Sequence, residues 1–173
     1  MGTTDKKRKV FFSFDYDDIF RVNQVRNIGI LSGDEIVQVN RLEKVKYRED
    51  SAIKKWIKEK MQPCSCVVVL VGSQTASSKW VKYEIKQAID SSKGLFGIYI
   101  HDLKDKEGRT SEEGIDPLPA GYDCHDMGFL EFMSDYSTYN WIKSNLSDWV
   151  ENAIKAQQVR QLQRQRIERL FMS

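Results

Sequence analysis

Glu84 is the carboxylate in this chain whose setting suggests chemistry. It lies in Trp80-Val81-Lys82-Tyr83-Glu84-Ile85, just after the apolar run Cys66-Val67-Val68-Val69-Leu70-Val71 and the turn Gly72-Ser73-Gln74. Val81, Ile85, Ala88 and Ile89 recur at helical spacing and predict an amphipathic helix, with Ser77 or Ser78 as its N-cap. Trp80 and Glu84 are four apart, so they sit one above the other on the shoulder of the apolar stripe. This predicts a glutamate neither fully buried nor fully solvated, leaning back toward the end of the preceding strand. A carboxylate fixed there can stabilise positive charge developing on a substrate. Spacing alone gives a plainer reading, in which Glu84 is a surface residue paired with Lys79 or Lys86.

Other reactive side chains fall into weaker patterns. Asp15, Asp17 and Asp18 follow the apolar stretch Val10-Phe11-Phe12-Ser13-Phe14 and read as a charge cluster at a helix start. Cys64-Ser65-Cys66 has the wrong spacing for a zinc knuckle, and nothing places Cys124-His125 beside it. An odd, sparse cysteine count does not describe a secreted disulfide framework; reduced thiols are expected. His101 and His125 lie in a long loop with nothing to position them. No metal site is expected.

The elements that must position Glu84 can be read in order. Val10 to Phe14 is a first strand, and Ile19 to Leu31 has helical periodicity. Gly33 marks a turn before a short strand, Ile36 to Val39. Asn40 to Asp50 is a charged loop. Ser51 can cap a helix carrying Ile53, Trp56, Ile57 and Met61, which Pro63 ends. The valine-rich run is the third strand, and its length and lack of polar residues suit burial on both faces. The helix bearing Glu84 is expected to end at Gly94 in a left-handed turn. Leu95 to Ile100 is a fourth strand, His101 to Gly128 a long loop, and Phe129 to Met133 an expected edge strand. From Thr138 the chain is helical, with an apolar face through Ile154.

Alternation of strands and helices predicts an α/β fold: a doubly wound, parallel, five-stranded, flavodoxin-like sheet of order 2-1-3-4-5 with a long C-terminal helix. In that order the crevice opens between the carboxyl ends of strands one and three. Ser13-Phe14-Asp15 and Gly72-Ser73-Gln74 stand at those ends. Residues 9–154 are expected to form the domain. Residues 155–173 are expected to be a basic, glutamine-rich helical extension that packs on a second copy, forms a coiled-coil fragment or frays.

The chain has 173 residues, of which 40% are hydrophobic, enough for one core. A net charge of +2 gives no argument for nucleic acid. No apolar run approaches membrane-spanning length, and Met1 to Lys6 lacks a signal-peptide core. A cytoplasmic protein without a membrane partner is expected.

Phe11-Phe12-Ser13-Phe14 after a basic start, Gly72-Ser73-Gln74-Thr75, and above all Trp80-Val81-Lys82-Tyr83-Glu84-Ile85 resemble a TIR-type (Toll/interleukin-1 receptor) domain. The likeness is to the bacterial TIR-like branch of the Thoeris anti-phage system, the ThsB type, and covers about Val10 to Pro119. It implies cleavage of the nicotinamide–ribose bond of NAD+ and formation of a cyclic ADP-ribose isomer. That product would reach a separate effector, with NAD+ as substrate and no further cofactor. Under this resemblance Glu84 takes the catalytic place and Trp80 that of the aromatic one turn earlier. Phe14 takes the place of an aromatic near the nicotinamide riboside, and Phe12, Ser13 and Tyr83 join the substrate-binding set. Asp15 departs from the pattern, because many such enzymes carry a basic residue there. Arg21, Arg26 or a lysine of the 41–49 loop would then hold the phosphates. Two rival readings are a non-catalytic TIR-like assembly module and a receiver-like phosphorylation switch. The latter needs an aspartate at the end of strand three, where Gly72, Ser73 and Gln74 stand.

Overall fold

The computed structural model describes residues 7–38, 49–128 and 137–172. Its strands are β1 (Lys9–Phe14), β2 (Glu35–Gln38), β3 (Cys66–Val71), β4 (Gly94–Tyr99) and β5 (Cys124–His125). They form one sheet in the order β2-β1-β3-β4-β5, parallel at every pairing. The helices are α1 (Ile19–Leu31), α2 (Asp50–Met61), α3 (Lys79–Asp90) and α4 (Thr138–Phe171). The expected topology is therefore present.

The alternation of side chains along each strand builds two cores. Phe12, Phe14, Cys66, Val68, Leu70, Phe96 and Ile98 pack with apolar residues of α1 and α4. Phe11, Val67, Val69, Val71 and Leu95 pack with those of α2 and α3. Every residue of β3 is buried. A central parallel strand covered on both faces needs such an unbroken apolar run. Burying each valine side chain contributes roughly 1.5–3 kcal/mol.

Several local expectations change. The fifth strand is Cys124–His125, paired through Gly97 with Cys124 and Ile98 with His125. It lies inside the stretch read as loop, where a two-residue strand has too little periodicity to be seen. The expected strand at 129–133 and most of the 40–50 loop fall outside the described residues. Gly94 does not end α3. Ser92 takes the left-handed turn, at φ 54°, and Gly94 opens β4. Glycine is needed there because a Cβ would stand 3.0 Å from the backbone nitrogen of Ile154 in α4. Ser78 occupies the N-cap position of α3 but makes no side-chain capping bond. Glu49, not Ser51, precedes α2.

α4 is one continuous helix of 34 residues. Ser137 caps it, accepting from the Asn140 N–H at 3.3 Å. Ile142, Leu146, Val150, Ala153 and Ile154 bury its first half. Arg160 remains anchored, donating to the Gly121 carbonyl with its guanidinium 4.2 Å from the centre of the Tyr122 ring. Every described residue beyond it is exposed. Among the described residues, no helix is long and apolar enough to cross a membrane.

Candidate active site

Strand alternation decides what each residue of β1 can do. Phe12 and Phe14 point into the α1/α4 core. Ser13 points the other way, toward α3. Its hydroxyl donates to the Glu84 carboxylate, with Oγ to Oε2 at 2.6 Å. Ser13 is 0% exposed and Glu84 1% exposed. The expected half-solvated glutamate is thus a buried one. The physical reason is that α3 packs on the sheet through Val81, Ile85 and Ala88, so a residue on the shoulder of that apolar stripe meets β1 rather than water. The distance is at the short end of the O–H···O range. The surface-pair reading of Glu84 is replaced as well. Lys79 pairs with Asp50 and Lys86 with Asp90.

Trp80 and Tyr83 flank this carboxylate on α3, partly buried against the α2/α3 core. Their rings meet edge to face at 6.4 Å and 87°. The Lys79 ammonium lies 4.9 Å from the Trp80 ring and that of Lys54 lies 5.5 Å from Tyr83. Phe12 and Phe14 are 1% and 8% exposed, clustered with Val22, Val25 and Ile142. The structure therefore brings Ser13 to Glu84 and leaves the two phenylalanines on the opposite face of the sheet.

The crevice between the ends of β1 and β3 holds a second buried polar group. Asp15 caps the short 3-10 turn Tyr16–Asp18, accepting from the Asp17 N–H. This turn delivers Asp18 over Gly72, so closely that a Cβ at Gly72 would lie 1.9 Å from an Asp18 carboxylate oxygen. Arg21, one turn on, reaches Asp18 at 3.2 Å and donates to the carbonyls of Leu103 and Arg109 at 2.7 and 3.0 Å. Thr75 closes the turn after β3, accepting from the Gly72 N–H at 2.8 Å and donating to the Leu70 carbonyl at 3.2 Å. Burial raises the Asp18 carboxyl above the ordinary carboxylate range, with Arg21 opposing the shift.

Arg21 was a candidate to hold phosphate. Its guanidinium is instead occupied in pinning the loop after β4 to α1. That latch is the part of the site that sequence reasoning missed. Asp18 and Arg21 are three apart at a helix start, a pattern common on solvated surfaces, so its spacing carries no sign of burial. The three cysteines are free thiols. Burial pushes the Cys64 thiol up to about 11 and raises Cys66 and Cys124 as well.

The family described as "Thoeris protein ThsB, TIR-like domain" matches residues 11–105. The chain belongs to the ThsB TIR-like family. Among curated proteins, this ThsB-family chain is 33% identical over 141 residues to "Putative cyclic ADP-D-ribose synthase ThsB1" of Bacillus cereus (strain MSX-D12). The match covers 78% of this chain and 73% of that relative. The span shared with the ThsB family contains Ser13, Asp18, Arg21, Gly72 and Glu84. It excludes α4.

Proposed function

We propose that this ThsB-family protein cleaves NAD+, releases nicotinamide and makes a cyclic ADP-ribose isomer. That product would act as a signal to a separate effector in anti-phage defence within the cytoplasm. The observation that carries the reading is a carboxylate held by a serine hydroxyl beside the crevice of a doubly wound sheet, in a chain related to a protein named as such a synthase.

The chemistry asks little of the protein. The C1′–N bond breaks and its electron pair leaves with the nicotinamide nitrogen, which loses its positive charge. No acid is needed to protonate that leaving group, and no cofactor beyond the substrate. The ribosyl C1′ becomes cationic, and Glu84 stabilises it electrostatically or through the ribose hydroxyls. Trp80 and Tyr83 are the aromatic surfaces available to the base. Capture of C1′ by a nucleophile of the same dinucleotide closes the ring, and that nucleophile's proton is released. Capture by water gives linear ADP-ribose and a proton instead. Excluding water therefore selects the cyclic product.

Glu84 has to become accessible before it can touch a ribose. Its burial makes activation part of the reading: an assembly or a signal uncovers the carboxylate. The same burial favours a second reading, in which Ser13–Glu84 is a structural bond in a non-catalytic assembly module.

The deciding experiment incubates the protein with NAD+, alone and in extracts of phage-infected cells. Nicotinamide and nucleotide products are identified by chromatography and mass. Glu84→Gln keeps shape and removes charge, so it should abolish nicotinamide release. Turnover that survives this substitution excludes Glu84 as the reacting group. Absence of turnover in every extract favours the assembly module.

A further inference from the structure

We propose that His101, Asp102 and Asp126 bind a divalent transition-metal ion that clips together the two ends of the long loop after β4. The inference is independent of the NAD+ reading. His101 and Asp102 follow β4, and Asp126 directly follows β5, its hydrogen-bonded neighbour. The three residues thus meet at the carboxyl edge of the sheet, where open α/β folds hold their ligands. Each offers a ligand atom, and these atoms all lie within 4.8 Å of one another. Ligands at about 2.1 Å from one ion stand roughly 3–4 Å apart, so a small contraction completes the site.

A second observation concerns the imidazole itself. His101 is only 9% exposed. Its Nε2 is 3.3 Å from Asp102 Oδ2. Its Nδ1 is buried and, among the described residues, has no hydrogen-bond partner. The ring nitrogen beside the Asp102 carboxylate is Nε2, and the neutral tautomer that carries its proton on Nδ1 has its lone pair there to give. Asp126 is oriented as well, since its Oδ1 accepts from the Gly128 N–H at 3.0 Å, an outer contact of the kind that fixes metal ligands. Asp126 is exposed, which gives an ion an entry path and room for water ligands.

The donor set decides the class of ion. One imidazole nitrogen and two carboxylates suit manganese, iron, cobalt, nickel or zinc, whereas magnesium and calcium prefer all-oxygen sites. Two carboxylates also balance the charge of the ion. The consequence is mechanical. The loop between Asp102 and Asp126 carries Gly114, which lies so near the end of β3 that a Cβ on it would stand 2.0 Å from the Gly72 carbonyl oxygen. An ion joining its two ends would hold that loop against the crevice.

The test uses untagged full-length protein stripped with EDTA and exchanged into chelator-free buffer. Mn2+ is titrated while the free-ion paramagnetic resonance signal is followed, and melting is recorded with and without Mn2+ and Zn2+. One ion per chain at micromolar affinity is expected, with a rise in melting temperature. Asp126→Asn, at an exposed position, should keep the metal-free melting temperature and weaken binding at least tenfold. His101→Gln should do likewise where its circular dichroism matches wild type. No saturable binding up to about 1 mM, or binding that Asp126→Asn leaves unchanged, overturns the proposal.

Discussion

Ser13 of β1 donates its hydroxyl to Glu84 of α3 across 2.6 Å, and both side chains are almost wholly buried. One bond joins the first strand to the helix that follows the third, so it locks the helix to the sheet while fixing the carboxylate. Removing the hydroxyl tests both roles. Ser13→Ala deprives a buried acceptor of its hydrogen bond, at a cost of about 1–3 kcal/mol. The urea midpoint should fall with an unchanged slope. In an NAD+ assay kcat should drop while KM stays near wild type, the signature of lost positioning.

Substitutions at Glu84 should separate charge from shape. Glu84→Gln retains an oxygen to accept from Ser13, so its melting temperature should stay close to wild type while nicotinamide release is lost. Glu84→Ala leaves the Ser13 hydroxyl buried without that acceptor and opens a cavity. It should be the less stable of the two by about 1–3 kcal/mol, read by chemical unfolding.

Gly72 is predicted to tolerate no side chain. A methyl there would lie 1.9 Å from the Asp18 carboxylate, which fixed packing around the Asp18–Arg21 pair prevents from moving freely. Gly72→Ala should destabilise by about 1–3 kcal/mol or more. Combined with Asp18→Ala, the clash disappears, so the double variant should be less damaged than the sum of the singles. A double-mutant cycle measures that coupling.

Arg21 should control the loop it pins. It is 7% exposed and contacts Asp18 and two loop carbonyls. Arg21→Met leaves the buried Asp18 charge without its partner, at a cost of about 3–5 kcal/mol. Limited trypsin digestion should then cut faster after Lys104, Lys106 and Arg109. Unchanged cleavage would show that the loop is held by other contacts.

His125 should make stability depend on pH. Its ring stacks on Trp149 at 4.1 Å and 9°, with Phe96 edge-on at 5.6 Å. Burial lowers its pKa from 6.5, and Asp123 opposes the shift. The folded state therefore prefers neutral His125. Its contribution is fully present above pH 6.5 and is lost as pH falls through the lowered folded value. His125→Phe keeps the stack and removes the proton site. Its melting temperature should vary less than wild type between pH 7.5 and pH 5, about the window in which histidine charges.

The chain's one-dimensional pattern was enough for the layout. An unbroken valine run suits a strand covered on both sides, and periodic stripes on Ile19–Leu31, Asp50–Met61 and Lys79–Asp90 suit helices covering it. Alternation of strands and helices implies parallel pairing and fits the order 2-1-3-4-5, whose carboxyl edge is where Ser13, Gly72 and the start of α3 meet. These features are local, because hydrophobic period and turn chemistry are written in neighbouring residues. β5 escaped because two residues have no period, and the glycine at 94 serves a close approach of α4 from afar rather than the left-handed turn, which falls on Ser92.

The depth of Glu84, the recruitment of Arg21 to Leu103 and Arg109, and the closeness of Gly72 to Asp18 were decided only by tertiary structure. Each depends on how far one element lies from another, a distance set by the packed volume of side chains remote in sequence. A helical stripe says which side faces inward, but only the finished packing says whether a carboxylate on its shoulder meets solvent or a serine.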